Sequence, residues 1–163
     1  MEDLNLLKHK AIKAKGEHKK LFDQLKKRLP KNLDQQFAEL HDEAFERIDC
    51  LTCANCCKTT GPLFKQKDIE RLANHLKMRP AQFVETYLHI DEDNDYVLNT
   101  LPCPFLGADN YCSVYEYRPN ACREYPHTNS RKMHTLFKET LNNVAICPAV
   151  FEIVEKLKKV YPV

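Results

Sequence analysis

Cys50-Leu51-Thr52-Cys53-Ala54-Asn55-Cys56-Cys57 sets four thiols within eight residues, and four more cysteines follow singly at 103, 112, 122 and 147. Thiolates are the strongest soft ligands a protein offers to zinc, iron or iron-sulfur clusters. The stretch therefore predicts a chain organised around a metal site.

Redox context decides how the eight cysteines are read. The start, Met1-Glu2-Asp3-Leu4-Asn5-Leu6-Leu7-Lys8, carries acids and no apolar core of the kind a secretory signal needs, and no apolar run approaches the ~20 residues that cross a bilayer. The expected location is the cytoplasm, where thiols stay reduced and clustered cysteines bind metal or do redox work rather than form disulfides. A bond between the neighbours Cys56 and Cys57 would also be strained.

Upstream of the cluster, charge and periodicity change together. Residues 1–31 hold ten Lys/Arg against Glu2, Asp3, Glu17 and Asp23, a net of +6; with the whole chain at +2, the remainder carries −4. Leu4, Leu7, Ala11, Ala14, His18, Leu21 and Leu25 recur at steps of three and four, which predicts one long helix with a single apolar seam, stopped by Pro30. The expected domains are a basic amphipathic helix over 1–31 and a cysteine-cluster metal-binding domain over 32–163. The seam requires a surface to pack on, in the same chain or in a homodimer through this helix, and the lysines offer themselves to an anionic partner such as nucleic acid. Phe22 is the helix's only aromatic residue, which argues against a base-stacking platform.

A second helix is expected over 33–48, with Asn32 as its cap and Leu33, Phe37, Leu40, Ala44, Phe45 and Ile48 inward. It runs toward the cluster, and continued helical geometry would align Cys50, Cys53 and Cys57 with Cys56 to one side. Further helices are expected over 67–78 and 80–88, the latter opened by Pro80. Asp91-Glu92-Asp93-Asn94-Asp95 reads as a solvated turn, lacking the glycine and terminal glutamate of a calcium loop. Gly107 to Asn110 marks a turn between two short extended pieces, Pro119 starts a turn carrying Cys122, and Cys147-Pro148 opens a C-terminal helix with Val150, Phe151, Val154 and Leu157 inward and Val160 and Tyr161 as further candidates for that face. The fold class is mainly α: a small helical domain with an irregular cysteine-rich metal-binding core and at most a short hairpin.

CxxCxxCC, then Pro102-Cys103-Pro104-Phe105-Leu106, then Cys112 ahead of Val114-Tyr115-Glu116-Tyr117-Arg118-Pro119, then Cys122-Arg123-Glu124-Tyr125-Pro126 and a last Cys147, resemble the cysteine-cluster family often called YkgJ-like. The resemblance covers roughly residues 50–148. It implies zinc or iron chelation and carries over no activity; a related cluster in flagellin lysine methylases keeps a catalytic or modification-linked role open as analogy.

All eight cysteines, Cys50, Cys53, Cys56, Cys57, Cys103, Cys112, Cys122 and Cys147, are candidate metal ligands. Cys50, Cys53 and Cys56 repeat the ferredoxin-like spacing, whose remote fourth ligand is typically followed by proline, as at Cys147-Pro148 and Cys103-Pro104. That favours a 4Fe-4S iron-sulfur cluster on Cys50, Cys53, Cys56 and Cys147, with Cys57 belonging elsewhere. Zinc stays open, because eight cysteines also divide into two all-thiolate tetrahedral sites, and iron remains a third candidate. His127 follows Tyr125-Pro126 within reach of a metal; His89-Ile90-Asp91 and His41-Asp42-Glu43 match facial-triad tripeptides that are frequent by chance. Arg118 and Arg123 flank Cys122 and suit backbone carbonyls, thiolates or an anionic substrate. No P-loop, dinucleotide fingerprint, HExxH or serine-nucleophile elbow occurs, and no catalytic residue is assigned. The reading is a metal-binding protein; a metal- or cluster-dependent enzyme of redox or protein-modification chemistry, or a redox or iron sensor using the basic helix, are the alternatives.

Overall fold

The structure, a computed structural model, describes residues 3–163. In chain order its elements begin with α1 (Leu4–Lys27), α2 (Leu33–Phe45), α3 (Cys50–Cys53), α4 (Asn55–Thr59), β1 (Leu63–Phe64), α5 (Gln66–His75) and α6 (Pro80–Tyr87). They continue with β2 (Leu88–Ile90), β3 (Tyr96–Leu98), a 3₁₀ turn (Tyr115–Tyr117), α7 (Asn120–Glu124), a second 3₁₀ turn (Met133–Leu136), α8 (Phe137–Asn143) and α9 (Pro148–Val160). Helix dominates, as the periodicity predicts. Among the described residues, no helix is long and apolar enough to cross a membrane.

The elements fall into two compact units, one made of residues 1–49 with 126–163 and the other of residues 50–125. The first is helical. Asp3 accepts the Asn5 N–H over 2.9 Å to start α1, and Lys26 and Lys27 complement the dipole of its last turn. The expected seam is real: Leu7, Ala11, His18, Leu21 and Leu25 are buried, joined by Phe22, whose ring lies 4.8 Å from Phe137 of α8. The seam packs on α9 and α8 of the same unit. α9 begins with Pro148 at its first turn and buries Val150, Ile153, Val154 and Leu157, while α2 lies along it and buries Leu33, Phe37 and Ala44. Lys158 reaches Glu17 at 2.5 Å and Glu155 at 2.7 Å, and Lys156 reaches Glu43 at 2.6 Å, so ion pairs rim the three helices. α8 carries no clear apolar period and is set instead by its contacts: Asp34 of α2 accepts the N–H groups of Lys132 and Met133 just before it.

Two histidines find polar partners at this core. His18, 1% exposed, bonds Glu155 over 3.2 Å and meets Phe151 edge-on at 5.9 Å; burial pushes its pKa down. His41 bonds the fully buried Thr128 over 2.7 Å and packs on Phe45, and burial lowers its pKa too.

The cysteine-rich unit is built on Phe83. Its ring lies 5.1 Å from Tyr87, 6.0 Å from Phe64 and 6.1 Å from Phe105, and Ile69, Leu72, Leu88, Leu98 and Val114 complete the core. The sheet is slightly larger than the single hairpin expected: β3 lies between β1 and β2, antiparallel to both, with Val97 opposite Leu63 and His89. β1 is only two residues long, too short for an alternating pattern to announce it. The acidic stretch is the turn of the β2–β3 hairpin, where Asp91 Oδ1 accepts the N–H groups of Asp93 and Asp95.

The helices of the cluster differ from expectation. α2 ends at Phe45 rather than 48, and Cys50, Cys53 and Cys57 do not share one helical line. Ala54 adopts the left-handed conformation, φ 54°, between α3 and α4, which turns the chain and separates the pair Cys50/Cys53 from the pair Cys56/Cys57.

Candidate metal centre

No disulfide joins any of the eight cysteines. Cys50 is exposed, Cys147 is buried, and the other six are half-buried, so their sulfurs sit at the margin between core and solvent. Cys147 lies in the helical unit, where it caps α9 and its N–H bonds Asn143 O over 2.9 Å. The other seven lie in the cysteine-rich unit.

Within that unit, backbone hydrogen bonds gather separate stretches of chain. The Cys103 N–H donates to Cys57 O over 2.8 Å, tying the Pro102-to-Leu106 segment to α4. From there the chain doubles back: Leu106 bridges Cys112, Gly107 N donates to Tyr111 O, and Ser113 N donates to Phe105 O, the last two over 2.8 Å. Gly107 suits this turn, because a Cβ there would stand 2.7 Å from Asp109 Oδ1 and 3.2 Å from Tyr111 O and would have to displace the Asp109 side chain. Cys103 and Cys112 thus lie on the two limbs of one turn, both packed against the Phe83 core.

Cys122 is delivered by a different device. Asp68, 1% exposed on α5, accepts the N–H groups of Lys65 and Asn120 and an Arg71 Nη2 proton at 2.9 Å. Arg71 also donates to the carbonyls of Tyr117, over 3.3 Å, and Arg118, over 2.9 Å. Together they fix residues 117–120, from which Pro119 opens α7 and places Cys122 in its first turn. The hydrogen bonds from Arg71 and the two N–H groups hold Asp68 below the usual carboxylate range despite burial.

Electrostatics group four of the thiols. Burial pushes Cys103, Cys112 and Cys122 up, the last to about 12, and charge on neighbouring sulfurs raises them further. Those neighbours are Cys57 and Cys112 for Cys103, Cys57 for Cys112, and all three others for Cys122, so every pairing within Cys57, Cys103, Cys112 and Cys122 is within electrostatic reach. Cys57 is the exception in sign: the hydrogen bond between its sulfur and Cys56 draws it down to about 7 against burial. Among the described residues, no three His, Cys, Asp or Glu side chains are yet drawn in tightly enough to hold an ion directly. Ligation would pull the four sulfurs inward and release their protons. Four soft donors at a half-buried margin fit a thiophilic ion in number and chemistry.

The remaining candidates take other partners. Arg118 lies 3.9 Å above the Tyr115 ring and donates to Tyr115 O, while Arg123 donates to the carbonyls of Glu116 and Arg118. Both arginines therefore serve the backbone around Cys122, and Arg118 also lies within reach of the charge on Cys112 and Cys122. His89 bonds Asn99, His41 bonds Thr128, and Glu43 pairs with Lys156, which accounts for the facial-triad tripeptides without a metal. His127 stands in the helical unit with φ 65°. Asp68 and Arg71 are positioning residues that sequence reading passed over; the available signal was an aspartate on the apolar side of α5, one turn before an arginine.

No curated protein and no solved structure matches the chain. A family model described as "CxxCxxCC: Putative zinc- or iron-chelating domain" matches residues 49–147, more than half of the chain and every one of its cysteines, and the chain belongs to that family.

Proposed function

We propose that this protein is a cytoplasmic metal-binding protein whose thiolates hold an iron-sulfur cluster, with zinc as the competing occupant. The observation that carries the reading is the set of eight cysteines without a disulfide, all within the segment that the chelating family matches, with Cys103 and Cys112 packed at the edge of one small aromatic core. Cys50, Cys53 and Cys56 are the proposed corners of a 4Fe-4S centre by their ferredoxin-like spacing, and Cys147 is the proposed fourth ligand on the sequence ground of the Cys147-Pro148 step. Cys57 is assigned elsewhere.

Anaerobic purification followed by iron, zinc and acid-labile sulfide analysis, with an absorption spectrum, tests the occupant. Sulfide equimolar with iron and a broad band near 400 nm are expected; zinc without sulfide after anaerobic handling would remove the cluster from the reading. Absence of every metal would remove the reading itself.

A sensor reading draws on α1, whose lysines are exposed along its length while the seam is already covered within its own unit. The exposed lysines favour an anionic partner such as nucleic acid on the basic face over a second copy docked through the covered seam. Binding of a DNA duplex that weakens steeply with salt would support it.

A further inference from the structure

The proposed cluster leaves four cysteines without a task, and the fold brings those four together. Cys57 and Cys103 are joined through their backbones at 2.8 Å, Cys103 and Cys112 stand on adjacent limbs of one turn, and Cys122 arrives on α7, anchored through Asp68. They come from three pieces of chain that meet on one core: Cys103 and Cys112 pack against the Phe83 cluster, and α7 is tied through Asn120 to Asp68 of α5, whose Ile69 and Leu72 belong to that cluster. Cys56 and Cys57 are neighbours on α4, and successive residues of a helix point about 100° apart, so one turn can serve two centres.

We propose that Cys57, Cys103, Cys112 and Cys122 form a second, separate all-thiolate centre that takes a single thiophilic divalent cation, zinc or its equivalent, in tetrahedral coordination. This rests on the metal-chelating reading above and extends it from one centre to two. Closed four-thiolate sites are structural, and this one would cross-link α4, the Pro102-to-Cys112 turn and α7, which share little other regular structure. On binding, four S–H bonds are lost to solvent as protons and four metal–sulfur bonds form, giving the unit a net site charge of −2; Arg118, already beside Cys112 and Cys122, offsets part of it. No electrons move.

Cobalt(II) titration of the reduced full-length chain under argon reads the centre directly, since four thiolates give cobalt intense sulfur charge-transfer and tetrahedral ligand-field bands. In a Cys53→Ser background, which removes the first centre, one equivalent of cobalt should still produce that spectrum. Adding Cys57→Ser, Cys103→Ser, Cys112→Ser or Cys122→Ser should each abolish it. A tetrathiolate spectrum that survives Cys112→Ser or Cys122→Ser overturns the proposal, as does its loss on Cys53→Ser alone. Should a variant fail to fold, alkylation of the wild-type chain followed by mass spectrometry keeps the question open to refutation: metal must protect these four cysteines together and at the same concentration. If wild-type protein binds neither cobalt, zinc nor iron, the broader metal-binding reading fails; if it binds metal while these four alkylate freely, only the second centre does.

Discussion

Asp68 and Arg71, one turn apart on α5 and 2.9 Å from each other, hold residues 117–120 from opposite sides of the hydrogen-bond ledger: the carboxylate accepts the Asn120 N–H, and the guanidinium donates to the carbonyls of Tyr117 and Arg118. Neither residue is a ligand. Their joint effect is to set where Cys122 enters the cysteine-rich unit.

Asp68→Ala is expected to destabilise that unit by about 3 kcal/mol, because it strands a partly buried guanidinium and two backbone donors. Urea denaturation followed by tyrosine fluorescence checks it. The pH dependence follows the same contact. Asp68 is held below the usual carboxylate value, so its contribution is present above about pH 4 and is lost as pH falls through the folded-state value; Asp68→Asn should flatten that acid limb.

The helical unit should lose stability at a higher pH. His18 and His41 are both pushed down by burial, so the unfolded chain takes up protons first as pH falls below about 6.5, and stability declines from there until the folded-state values are reached. Around His18 the charged neighbours are Glu155, Lys158 and Glu17. A His18→Leu variant with an unchanged slope between pH 7 and 5 would show that this histidine does not titrate on unfolding.

Ala54 tests the break between the two cysteine pairs. It is 4% exposed and holds φ 54°, a conformation costing a non-glycine residue roughly 1 kcal/mol. Ala54→Gly is expected to leave metal content unchanged and to stabilise the unit by about 0.5 kcal/mol or less, the loss of the buried methyl opposing the relief of strain. Ala54→Val should destabilise and lower metal content together. Equal melting of all three proteins would mean the kink is not stiff.

Metal removal should act unevenly. Chelation is expected to expose residues 99–125 to limited proteolysis first, since this stretch has only short helical turns and one isolated bridge, while the α1–α9 packing stays intact. Phe22→Ala should do the reverse, costing the helical unit about 3–5 kcal/mol with metal content retained.

Sequence alone made the helices legible: α1, α2 and α9 each keep one apolar face over three turns or more, and the shorter α5 and α6 repeat it for two turns or a little more. The cysteines announced a chelating family by number and spacing, which the match over residues 49–147 bears out. What stayed hidden was set by single residues or by distant contacts. The left-handed Ala54 has no glycine to advertise it, α8 is placed by Asp34 from almost a hundred residues away, and the nearness of Cys57 to Cys103, Cys112 and Cys122 follows from hydrogen bonds that no spacing encodes. Ile153 was missed on α9, although it is fully buried, and Val160 lies outside the core at 43% exposure because the helix has by then run past its partners.

The helical unit is written in two instalments, with the whole cysteine-rich unit between them. As the chain leaves the ribosome, α1 and α2 emerge before residues 50–125 with Leu7, Leu21, Phe22 and Phe37 uncovered, and α9, which packs on both helices, emerges after them. Residues 50–125 are contiguous and need wait for nothing downstream to close around their own core. The earlier instalment thus waits until residues 50–125 have been made, and the thiols between the two instalments can be gathered while α1 and α2 are still unpartnered.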